Sequence, residues 1–292
     1  MRNLKLKMIC RIFIAAPFPP VTVFMLMSAY PASVLNIRYA PAGYQLVWED
    51  GFNGSVIDTA SWIVGSLRDP NNGDLVPGAR GDRLLNQQYS GYITSDNAYI
   101  DDGVLVLRNR KVDYAGVNPK GDYKYTSAWV MSMHRVFFNK GYVEIKAKFP
   151  SGDKVWPALW LIAEDLTWGP EWDMFEYFGY REDVGFDNMG VHLATGKSPQ
   201  ITWNSGWLKD FDKTFDCERW HIYGFEWTKE MAAWYIDGKK VNELQASGIP
   251  LWPDEDMYMV FNNGQRSQSP DSATVWPNYL KIDYVKLFKK SP

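Results

Sequence analysis

The segment that most constrains this chain is Glu171-Trp172-Asp173-Met174-Phe175-Glu176, where three carboxylates alternate with large apolar side chains. In a strand, successive side chains point to opposite faces, so Glu171 and Asp173 share one face while Trp172 and Met174 share the other. Trp172 is therefore expected to point into a core. Glu176 has the wrong parity. One extra residue at Met174-Phe175, a β-bulge, returns it to the side of the other two acids, and bulges are common beside active sites. The Cα atoms of Glu171 and Glu176 then lie roughly 13 Å apart, a gap that two Glu side chains leaning over Asp173 can largely close. Acids on one face of such an apolar strand are costly to bury without a purpose, because buried charges shift their pKa or must be paired. One chemistry that needs a carboxyl pair is glycoside hydrolysis. Retaining enzymes hold the two groups about 5–5.5 Å apart and inverting ones about 6.5–9.5 Å apart.

The rest of the chain reads as short strands. Val104 to Leu107, Tyr142 to Lys148, Met231 to Ile236 and Met257 to Phe261 are rich in β-branched or aromatic residues and bounded by Gly, Asp and Pro. Asp102-Gly103 and Asp237-Gly238 signal type I′ hairpins, whose two central residues need positive φ. This pattern predicts an all-β antiparallel sandwich, and 292 residues suit one such domain. A formal charge of −3 lacks the basic footprint of a nucleic-acid binder. The 14 Trp and 17 Tyr are a heavy load for one core, so some rings are expected to face a ligand. No P-loop, His-Glu-x-x-His, Cys-x-x-Cys or Gly-x-Ser-x-Gly occurs, which leaves nucleotide hydrolysis, zinc proteolysis and α/β-hydrolase chemistry without support.

Residues 1–33 read as a secretory leader, with Arg2, Lys5 and Lys7 ahead of apolar runs from Met8 and Val21. Export to the extracellular space or periplasm is the expectation, with residues 34–292 as the catalytic domain. Pro17, Pro19 and Pro20 interrupt the apolar stretch, so no transmembrane anchor is expected. Removal of the leader takes Cys10 with it and leaves Cys217 as the one thiol, which excludes an intramolecular disulfide. Residues 68–86 read as a long loop.

The acid run resembles the E-x-D-x-x-E signature of glycoside hydrolase family 16, in the bulged form of its laminarinase, agarase and carrageenase branches. Other segments resemble the family in order: Leu46 to Gly54, Ile57 to Trp62, Tyr125-Thr126-Ser127, Gly141 to Lys148, Trp156-Pro157-Ala158-Leu159-Trp160, Phe225 to Thr228, Trp234 to Gly238 and Asp283 to Lys286. The resemblance implies a β-jelly roll of two antiparallel sheets (concanavalin A-like) with a concave substrate cleft. It implies an endo-acting, retaining glycosidase with Glu171 as nucleophile, Glu176 as acid/base and Asp173 between them. Asn86, Trp156, Trp160, Trp168 and His192 would contact sugar. A structural calcium on the far side, held by Asp283 and the Gly103 carbonyl, is also implied; the chemistry itself requires no cofactor. In two places the chain departs from the laminarinase pattern: Trp129 stands where many members carry Arg, and His192-Leu193 replaces His-Gly. Trp129 would exchange a polar contact for a stacking platform. The implied partner is a polysaccharide acted on by a monomer, either a β-1,3-glucan or mixed-linkage β-glucan. A β-linked galactan (agarose, porphyran or carrageenan) and a non-catalytic carbohydrate-binding jelly roll are the alternatives.

Overall fold

The structure is a computed structural model that describes residues 39–64, 91–117, 120–163, 170–177, 186–193, 201–204, 215–265, 270 and 272–291, with backbone alone at 117, 186–188, 190, 192 and 201–204. The expected leader, the 68–86 loop, Asn86 and Trp168 lie outside the described residues.

Seventeen strands among the described residues build the sandwich expected from the alternating pattern. One sheet runs in space as β2 (Ile63–Val64), β6 (Lys120–Met131), β16 (Met257–Gln265), β9 (Val155–Ala163), β10 (Glu171–Tyr177), β11 (Phe186–Leu193) and β12 (Ile201–Asn204), each antiparallel to the next. β7 (Phe137–Phe138) pairs with the start of β16. We call this the inner sheet. The outer sheet runs as β15 (Lys239–Gln245), β14 (Met231–Ile236), β13 (His221–Trp227), β8 (Gly141–Lys148) and β17 (Asn278–Lys290). The free edge of β17 is shared by β5 (Val104–Val117) and β1 (Tyr44–Asp50), and β4 (Ala98–Asp101) pairs with β5. β3 (Gly91–Ile93) lies parallel to β6. No helix among the described residues is long and apolar enough to cross a membrane.

Alternation sets which residues meet between the sheets. On β8, Val143, Ile145 and Ala147 enter the main core while Glu144 and Lys146 do not; on β9, Leu159 and Leu161 enter it. Trp172 of β10 is fully buried there, 5.4 Å, 5.9 Å and 6.1 Å from the rings of Phe225, Trp227 and Trp234 on the outer sheet. Replacing such a side chain with Ala costs about 3–5 kcal/mol. Both expected hairpin turns have positive φ at each central residue: 50° and 72° at Asp102-Gly103, 49° and 78° at Asp237-Gly238.

Two strands run further than their apolar stretches. β5 continues past Leu107 because it changes partner, leaving β17 after Asn109 and pairing with β6 from Arg110. β16 continues past Phe261 because β9 flanks it on one side and β6 on the other, so its backbone is satisfied through two asparagines. Asn263 is buried, with its Nδ2 donating to the carbonyls of Leu107 and Asn278 at 2.9 and 3.3 Å while its Oδ1 has no partner among the described residues.

Candidate active site

The bulge in β10 falls where the alternation demands it. Against β9, Glu171 faces Ile162, Asp173 faces Trp160, Phe175 faces Leu159 and Glu176 faces Ala158, so Met174 is the extra residue. The acids thus oppose Ala158, Trp160 and Ile162, whose side chains form a second apolar cluster with Trp129, Met131, Tyr258 and Val260 on the sheet face turned away from the main core. Met174 and Phe175 both stay in that core. Glu171, Asp173 and Glu176 consequently share one face, with Asp173 and Glu176 buried and Glu171 half-buried. Across β10's other edge, Glu171 is opposite His192, Asp173 opposite Gly190 and Glu176 opposite Asn188. His192 is thereby placed by register beside Glu171.

Three indoles fasten the site. Trp156 Nε1 donates to Glu176 Oε1 at 2.7 Å. An indole N–H is a donor only, so it fixes one carboxyl oxygen of Glu176. Trp234, on the facing sheet, donates from Nε1 to the backbone carbonyl of Asp173 at 3.1 Å. That is the point where the bulge interrupts the ladder, so the bond supplies a buried carbonyl with a partner. Trp160 Nε1 donates to Asn262 Oδ1 at 2.9 Å, and Asn262 Nδ2 in turn donates to the Trp156 carbonyl at 3.0 Å. Asn262 so links the two tryptophans of β9.

Some expectations require correction. Trp129 is no open stacking platform: it is buried, with its ring edge-on to Trp160 at 5.4 Å and 89°. The two rings occupy the acid-bearing face and pack on each other because β16 brings β6 and β9 together. Trp156 is half-buried and also donates to Glu176, so beside any contact with sugar it can position that acid. Asp283 does sit on β17, at a bulge between Ile282 and Tyr284, but its carboxylate is 2.6 Å from the Lys146 ammonium. Calcium takes six to eight oxygen ligands. With Asp283 paired to a cation, a calcium held by Asp283 and the Gly103 carbonyl would have to displace the Lys146 ammonium. Gly103 serves the β4–β5 turn. Asn262 and Trp234 were not singled out from sequence as site residues. The signal for Asn262 was available: an Asn that follows Tyr258 and Val260 in the alternation of β16.

Similarity to known proteins agrees with this arrangement. The glucan endo-1,3-beta-glucosidase A1 of Niallia circulans is 29% identical over 273 residues, covering 86% of this chain, which in turn spans only 39% of that protein's length. The beta-glucanase of Rhodothermus marinus is 26% identical over 269 residues, covering 84% of this chain and 85% of that protein. The catalytic domain of an endo-1,3-beta-glucanase (laminarinase) from Thermotoga petrophila RKU-1 superposes with a TM-score of 0.67 at 24% identity, over 85% of this chain and 99% of that one, and so shares its fold. The model of the glycosyl hydrolases family 16 matches residues 85–286, a span that contains the bulged acid strand and most strands of both sheets. The chain therefore belongs to glycosyl hydrolase family 16.

Proposed function

We propose that this glycoside hydrolase is an endo-acting β-glucanase that cuts β-1,3-glucan or mixed-linkage β-glucan with retention of configuration. Glu171 attacks the anomeric carbon while Glu176 protonates the departing oxygen. A covalent glycosyl-enzyme forms, and Glu176, now ionised, takes a proton from the water that releases it. Asp173, between them, shares hydrogen bonding and charge with both and so keeps their protonation states apart. The bulge at Met174 carries this reading, because it turns an alternating strand into one with three acids on a single face. The names of the relatives in Niallia circulans and Rhodothermus marinus support the glucan assignment. The positive and then apolar start of the chain supports export.

The test is a substrate panel of laminarin, mixed-linkage glucan and agarose, with product sizing and with the anomer of the first product read by NMR. Internal cleavage of a β-glucan with β-configured initial products is expected. An α-configured first product refutes the retaining mechanism, and cleavage of agarose alone refutes the glucan assignment. Binding to laminarin without any cleavage assigns the chain to the non-catalytic alternative.

A further inference from the structure

The row of paired residues that starts at Glu176 continues across the inner sheet through Ala158 and Asn262 to Trp129. Three strand spacings separate its ends, roughly 14 Å, a distance of about three sugar rings laid across the strands. At the far end lies a pocket of about 10 Å³, bordered by Gly91, Ser127, Trp129, Asn262, Gly264 and Gln265. That volume admits one water-sized group. Ser127 and Trp129 are 4% and 3% exposed, and neither Ser127 Oγ nor Trp129 Nε1 has a hydrogen-bond partner among the described residues. Two such groups at one pocket are unusual, since buried polar atoms are nearly always paired.

Among the described residues, neighbouring side chains do not supply the missing partners. Asn262 is bonded at both ends of its amide, to Trp160 and to the Trp156 carbonyl. Gln265 reaches the Asp153 carbonyl and Asn109, each at 3.5 Å. Two glycines keep the Ser127 hydroxyl uncovered: a Cβ on Gly91 would lie 1.8 Å from Oγ, and one on Gly264 would lie 3.7 Å from it.

The chemistry of these two groups, unpartnered among the described residues, defines a guest. Trp129 Nε1 only donates, whereas Ser127 Oγ donates or accepts. An ammonium cannot satisfy the indole, and a methyl group satisfies neither. Sulfate and acetyl substituents exceed the volume of one water. We infer that this pocket takes a single unsubstituted sugar hydroxyl from the unit bound about three rings from the scissile bond, and that it thereby sets a preference for long, unsubstituted glucan chains. This rests on the glucanase reading above.

The test uses the full chain and compares kcat/KM for laminarihexaose with that for laminaritriose, which is too short to reach from the acids to the pocket and still span the scissile bond. Ser127→Ala removes one partner of the guest. Gly264→Ala places a methyl group at ordinary van der Waals distance from Ser127 Oγ and so occupies the pocket without overlap. In each variant the hexaose-to-triose ratio should fall about three- to tenfold, the effect of one hydrogen bond. A second measurement, the melting temperature, shows whether each variant is folded; if Ser127→Ala is not, Gly264→Ala decides. An unchanged ratio in a folded variant overturns the inference, leaves the glucanase reading intact and makes the pocket a site for a structural water. A wild type that cuts neither laminarin nor either oligosaccharide overturns both.

Discussion

Trp156→Phe keeps an aromatic ring on β9 but deletes the N–H that reaches Glu176 Oε1 at 2.7 Å. A hydrogen bond to a charged group contributes about 1.5–3 kcal/mol. Trp156 is half-buried, so water partly replaces the lost donor and the lower bound of about 1.5 kcal/mol applies, roughly tenfold in rate. The loss should be selective. If the bond positions Glu176 to protonate the leaving oxygen, kcat on laminarin falls about tenfold. An aryl glycoside with a good leaving group needs little protonation, so its glycosylation rate falls less than about twofold. KM should move little, since a ring remains for any contact with sugar. Reducing-end assays on laminarin and release of dinitrophenol from the aryl substrate give the two numbers. Equal falls on both substrates would refute the positioning argument. A rise in KM at constant kcat would instead make Trp156 a sugar-stacking residue.

Other consequences are equally direct. Glu176→Ala should stall after glycosylation with an activated aryl substrate and be rescued by azide to a product of retained configuration, whereas azide with Glu171→Ala should give the inverted product; NMR of the glycosyl azides decides, and the opposite pairing reverses the two roles. Trp234→Phe removes the indole donor to the Asp173 carbonyl at the bulge, a loss of about 1–3 kcal/mol that lowers the melting temperature by roughly 2–12 °C in calorimetry; an unchanged Tm would show that this bond adds nothing to stability. Because Asp283 is paired with Lys146, chelation with EDTA should leave the melting temperature unchanged, and a clear drop would restore the calcium. Burial, with Glu218 and Asp216 nearby, pushes the Cys217 thiol from an ordinary 9.0 up to about 12. Below pH 9 folded and unfolded thiols are both protonated; between there and about pH 12 only the unfolded one ionises, so stability declines as pH rises. Urea titrations should show a shallower decline in that window for Cys217→Ala, and identical slopes would remove Cys217 as a cause.

Features fixed by neighbouring residues were legible before the fold was known. The parity of Trp172, the extra residue at Met174-Phe175 and the two Asp-Gly turns follow from strand alternation and from the φ that a tight hairpin needs, and the structure has all of them. Contacts that close over long stretches of chain were not. Trp234 stands 61 positions from Asp173 and Asn262 stands 102 from Trp160, so no local pattern ties either pair together. The local sequence around Trp129 and Trp160 said nothing of their depth, which is set by how closely β16 draws β6 and β9 to its two sides. The ion pair of Asp283 was hidden for a related reason: its partner Lys146 comes from β8, across the outer sheet.

Yet Asp283 obeys the same rule as the acid strand. Leu280, Ile282, Val285 and Leu287 are its strand's core positions, and the step of three between Ile282 and Val285 is the mark of a bulge, just as adjacent Met174 and Phe175 are in β10. A break in apolar alternation thus predicts where an extra residue goes, and therefore which face the polar residues on either side of it occupy. In β10 that displacement moves Glu176 beside Asp173. In β17 it leaves Asp283 outside the core, within reach of Lys146. Which of the two becomes a reaction centre depends on what the facing strand presents: against β10 the neighbour is β9, with an indole donor for Glu176, and against β17 it is β8, with an ammonium that neutralises Asp283.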